Sequence, residues 1–131
     1  MAPDSADLLD LTYRADLGVL IGRWTRQPEP AELPAAYQQL RAVTVSCGAA
    51  RWLQDIRRRS LNDPATTEWL VAEYYPALAA QLGQPLRVAY LVGPDLHARI
   101  AAHPAMHEPT GSFRLSLFGE EGAAMSWLLS E

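Results

Sequence analysis

Residues 86–93 read Leu-Arg-Val-Ala-Tyr-Leu-Val-Gly, LRVAYLVG. Apolar side chains fall on both parities: Leu86, Val88, Tyr90 and Val92 on one, Ala89 and Leu91 on the other. A strand with one wet face alternates, whereas a strand covered on both faces does not. This segment therefore predicts a central strand, and the rest of the chain must supply cover for both of its sides. Gly93-Pro94-Asp95 closes it. A short helix is expected over 95–102 and a loop over 103–111.

Upstream, residues 51–58 predict a third strand. Asp63-Pro64 reads as a helix N-cap followed by the first helical position, where proline's missing N–H costs little. The helix beyond it carries Leu70, Tyr74, Leu78 and Leu82 on one stripe and ends at Gly83. Pro76 interrupts it and predicts a kink. Further back, LLDLTYR (8–14) alternates as a half-buried strand. The turn Asp16-Leu17-Gly18 joins it to a second strand, Val19–Trp24, so that pair is an antiparallel hairpin. The proline-rich PEPAELP (28–34) is a rigid connector. It leads into a helix marked by Leu33, Tyr37, Leu40, Thr44 and Cys47, with Gly48 as its stop. Downstream, FRLSLF (113–118) alternates again, and Glu120 to Leu129 predict a terminal helix with Ala124, Trp127 and Leu128 inward. Strands alternating with helices give a single α/β domain over 1–131. Its sheet is mixed but mainly parallel, of about five strands with the first antiparallel, and carries about four helices.

Composition narrows the function. The chain has 131 residues, enough for one core, with 49% hydrophobic and 20% charged residues. Eleven Lys+Arg against 15 Asp+Glu give a formal charge of -4, which disfavours non-specific nucleic-acid binding. One cysteine, Cys47, excludes an intrachain disulfide and fits a reducing compartment. The start MAPDSADLLDL lacks the basic segment and apolar run of a secretion signal, and no apolar run is long enough to span a bilayer, so a cytoplasmic location is expected.

The segments WLQDIRR and LRVAYLVGPD are similar to the central strands of SpoIIAA-like proteins. The ending FRLSLFGEEGAAMSWLLSE resembles theirs too, with a strand, an acidic turn and a short helix carrying Ala…Trp-Leu. With the element order, the chain resembles the STAS-type fold of the anti-sigma-factor antagonists. That resemblance implies a non-enzymatic bacterial regulatory module acting through protein–protein contacts. In the antagonists a serine at a strand-to-helix junction, in an Asp-Ser-Ser-Gly-like motif, is phosphorylated by a partner kinase. Here the junction reads DIRRRSLNDPATTEW. Asp55 stands in a similar place, but no serine follows it directly; Ser60, Thr66 and Thr67 are the nearby hydroxyls.

That junction is the candidate interaction site. Ligands of open α/β sheets bind at the carboxyl ends of the parallel strands. Asp55, Arg57, Arg58 and Ser60 lie at one such end and Asp95 at another. The plainer alternative pairs Asp55 with a neighbouring arginine and leaves the other arginines solvated. No cofactor motif is present: G-x-S-x-G, the P-loop and G-x-G-x-x-G are all absent. His97, His103 and His107, with Glu108, match no metal-ligand spacing, and Cys47 reads as an inert thiol on an apolar stripe. Trp24, Trp52, Trp69, Trp127, Tyr74 and Tyr75 read mostly as core. An apolar pocket between the sheet and the kinked second helix would make the chain a small-molecule or lipid binder, the alternative reading. Finally, the alternation of the first and last strands leaves one sheet face open at the flanks. Phe118 and Leu8 on that face would favour a homodimer.

Overall fold

The computed structural model describes residues 8–60, 64–102 and 111–130. Five strands form one sheet: β1 (Leu9–Arg14), β2 (Val19–Trp24), β3 (Arg51–Asp55), β4 (Leu86–Leu91) and β5 (Phe113–Phe118). Their spatial order is their chain order. β1 pairs antiparallel with β2, and β2 to β5 run parallel. The helices are α1 (Leu33–Cys47), α2 (Pro64–Trp69), α3 (Tyr75–Leu82), α4 (Pro94–Ala101) and α5 (Glu121–Leu129), with a 3-10 turn at Pro30–Glu32. This is the mixed α/β sheet expected from the sequence. Among the described residues no helix is long and apolar enough to cross a membrane.

The in-register rows explain the core. One face presents Tyr13, Leu20, Trp52, Val88 and Leu115 in a single cross-strand row. These residues join α1, Leu70, Tyr74, Tyr75 and Leu78 in the larger apolar cluster. The other face presents Val19, Leu53, Ala89 and Leu91, which pack with Ala124 and Leu128 of α5. Leu86–Leu91 is thus covered on both sides, as its pattern predicts. Crossovers of one hand advancing in one direction put their helices on one face; the terminal helix, free of that constraint, seals the other.

Glycine serves two purposes in this fold. Gly48 (φ 67) and Gly83 (φ 73) end α1 and α3 in the left-handed region, which glycine enters without a Cβ penalty. At Gly22 a Cβ would stand 2.7 Å from Gln54 Nε2. The missing side chain makes room for a buried amide, whose Oε1 accepts the Trp24 indole N–H at 3.0 Å.

Several expectations are corrected. The third strand ends at Asp55 rather than at 58, and Arg57 and Arg58 lie in a turn. The kink at Pro76 is a π-helical turn, Leu70–Tyr74, closed by the Tyr75 N–H to the Leu70 carbonyl. Proline lacks the N–H and crowds the carbonyl four residues back, so one extra residue in the preceding turn absorbs the conflict. Leu8 is buried in the larger cluster, and Phe118 packs on Trp127 at a centroid distance of 5.7 Å. Leu8 therefore does not stand on an open face, and Phe118 is half-buried against α5. Asp63, His103, His107 and Glu108 lie outside the described residues.

Candidate functional site

The strand-to-helix junction is built around one carboxylate. Asp55 ends β3 beside Arg23 of β2, its in-register neighbour. Its Oδ1 accepts Arg57 Nε at 2.9 Å and the Arg57 backbone N–H at 3.2 Å; its Oδ2 accepts Arg57 Nη2 at 2.7 Å and Arg23 Nη1 at 3.0 Å. Arg23 passes its other arm, Nη2, to Glu121 Oε1 at the start of α5, at 2.5 Å. The result is a four-member chain, Arg57–Asp55–Arg23–Glu121, tying β3 and β2 to α5. Burial alone would raise the Asp55 carboxyl, but the bonds from Arg57 and Arg23 outweigh it and hold the group below the usual carboxylate range.

The expected site residues do not all converge. Asp55, Arg57 and Arg58 line a cleft of about 570 Å³ with Asp10, Arg23, Trp24 and Thr25. Ser60 and Asp95 do not line it. Ser60 is exposed, and its backbone N–H donates to Gln27 Oε1 at 2.7 Å. Asp95 is exposed in the first turn of α4. Arg59 turns the other way, its guanidinium 4.3 Å above the Trp24 ring. The junction thus matches the plainer alternative for Asp55, while Arg57 and Arg58 stay exposed. Sequence reasoning missed Arg23, although a lone charge in the apolar run VLIGRW was the signal for it.

A second, larger cleft of about 1050 Å³ lies between the proline-rich connector with α1 and the second helix. Gln27, Pro28, Pro30, Leu33 and Pro34 form one wall, Tyr37, Gln38 and Arg41 of α1 the floor, and Thr66, Trp69 and Tyr74 the far wall. No strand residue lines it, so this cleft is not the pocket against the sheet that the sequence suggests. There Trp52, Tyr75 and Phe113 fill the space, with Tyr75 centroids 6.0 Å from Trp52 and 5.4 Å from Phe113. Tyr37, Trp69 and Tyr74 contact one another at centroid distances of 5.0–5.7 Å. The Tyr74 hydroxyl donates to the Tyr37 carbonyl, which locks the floor to the far wall.

Trp69 is the residue that makes this cleft. It is 39% exposed, against 2% for Trp24 and 0% for Trp52. Sequence reasoning placed the tryptophans mostly in the core. Trp69 precedes Leu70 by one position, which is about 100° around the helix from the buried stripe; that offset was the available signal. Among the described residues no three His, Cys, Asp or Glu side chains are grouped as metal ligands. His97 is exposed, and Cys47 is half-buried against the core. Compared with protein-family models and with curated proteins, the chain matches none.

Proposed function

We propose that the chain is a non-catalytic binding module that takes a small, largely apolar molecule into the cleft between the proline-rich connector and the second helix. The observation that carries this reading is the aromatic and proline lining around a half-exposed tryptophan, in a concavity of about 1050 Å³. Ligand sites are concave, mostly apolar and furnished with few polar groups, at about 300–1000 Å³. A tryptophan left wet in such a cleft is a surface that a ligand would cover at a gain. The resemblance to STAS-type modules also supports a non-catalytic role.

The test is fluorescence titration with 2-naphthol in wild type and in Trp69→Ala. Removal of an aromatic anchor weakens binding by tenfold or more, so the variant should lose most of its affinity. Equal affinity in the two proteins would place the binding site elsewhere. A regulatory protein-interaction role is the second reading, favoured by one observation: Arg57 and Arg58 stand exposed beside the smaller cleft at the carboxyl ends of β2 and β3. In that reading the partner presents acidic groups there.

A further inference from the structure

The lining of the larger cleft is as informative for its charge as for its shape. The chain carries 15 acidic residues and a net charge of -4, yet among the described residues lining this cleft none is acidic. One, Arg41, is basic. Four other arginines pair with carboxylates, Arg14 with Asp16, Arg23 with Asp55 and Glu121, Arg26 with Glu32 and Arg57 with Asp55, while Arg87 meets the backbone carbonyls of Trp127 and Ser130. Arg41 instead gives Nε and Nη2 to the neutral amide oxygen Oε1 of Gln81, at 3.2 and 3.0 Å. Its head is therefore held in place while its charge meets no acid among the described residues. That leaves its Nη1 edge for a ligand.

The placement along α1 sets the ligand's length. Tyr37 and Arg41 are four residues apart and so lie one above the other on the helix face, about 6 Å between their Cβ atoms. Tyr37 touches Trp69 at a centroid distance of 5.7 Å. A flat apolar body resting on Trp69 and the proline rings would thus hold an attached anionic group one helical turn away, at Arg41. Arginine's planar fork matches a carboxylate or a phosphate, and a singly charged carboxylate is the match for one arginine with no second cation beside it among the described lining residues.

We infer that the ligand of this cleft is a small aromatic monocarboxylate, its ring on Trp69 and its carboxylate on Arg41. This deepens the proposal of an apolar-ligand cleft and rests on it. A neutral apolar ligand would need no arginine in the lining, and a basic one would be repelled by it. The exposed position of Arg41 on α1 makes the charge removable without cost to the core.

Calorimetric titration of the whole chain with 2-naphthoate and with its neutral isostere 2-naphthamide separates the two readings. Wild type should bind the naphthoate about tenfold more tightly, the size of a charge-assisted hydrogen bond at a partly exposed site. Arg41→Gln should bring the naphthoate down to the naphthamide's affinity and leave the naphthamide unchanged. Arg41→Lys should restore part of the difference. Equal binding of both compounds by wild type, or a gap that survives Arg41→Gln, would overturn the carboxylate assignment while leaving a neutral-ligand cleft standing. Binding of neither compound would remove the cleft as a ligand site, and the carboxylate assignment with it.

Discussion

Asp55 shows how one side chain can serve architecture where the sequence suggests recognition. It is 7% exposed and receives two guanidinium groups. Truncation strands Arg23 and Arg57 without their acceptor. Hydrogen bonds to charged groups contribute about 1.5–3 kcal/mol each when buried. Both arginines are partly solvated here, so Asp55→Ala should cost about 2 kcal/mol in all after screening. Chemical denaturation checks this, and an unchanged midpoint would show that the network does not hold β3 to α5. The pH dependence has a definite sign. A carboxyl whose folded value is depressed stabilises the fold above its unfolded value of about 3.9, and that stabilisation is lost as pH falls through the folded value. The gap between wild type and Asp55→Ala should therefore be flat at neutral pH and close only below about pH 4. The acid and its adjacent arginine were legible in the sequence. Arg23 stood out as a lone charge in an apolar run, but its pairing with that acid was not legible, because it arises through strand pairing across thirty-two positions.

At the level of elements, the two faces of the sheet are covered unequally. Several helices share the larger cluster, whereas α5 is the described element packed over Leu53, Ala89 and Leu91. Leu128 is 0% exposed at the centre of that contact. Leu128→Ala should destabilise by about 3 kcal/mol, the transfer loss plus a cavity that one short helix cannot close. For a domain of this size that is a fall in Tm of about 10 °C, measurable by calorimetry; a fall under about 2 °C would mean that α5 docks loosely. The existence of α5 and its inward residues could be read from the spacing of Ala124 and Leu128. The form of the break at Pro76 could not. A proline fixes only that the hydrogen-bond ladder must fail. Whether the helix bends or widens depends on Tyr74 and Tyr75, both buried and both held by hydroxyl contacts, to Tyr37 and to Tyr90. Those anchors set the phase of the helix on either side of the proline and leave a π turn as the solution.

For the molecule as a whole, the class of fold followed from one segment. LRVAYLVG required cover on both sides, and the remaining elements had only one economical way to supply it, a parallel sheet extended strand by strand from an antiparallel hairpin. The candidate site was less legible, since concavity is a property of three elements at once. The proline-rich connector, α1 and the second helix each read as ordinary surface when taken singly. Their junction brings Trp69 on one wall and Arg41 on the floor into one cleft with no acid among its described residues. We propose that this cleft, and not the arginine turn after β3, receives the ligand. Mapping of amide and indole N–H shifts in the ¹⁵N-labelled chain on addition of 2-naphthoate tests it most directly. Shifts are expected at the Trp69 indole and along residues 27–41 and 66–74, with Arg57 and Arg58 still. Shifts centred on Arg57 and Arg58, or a spectrum that does not move at all, would contradict it.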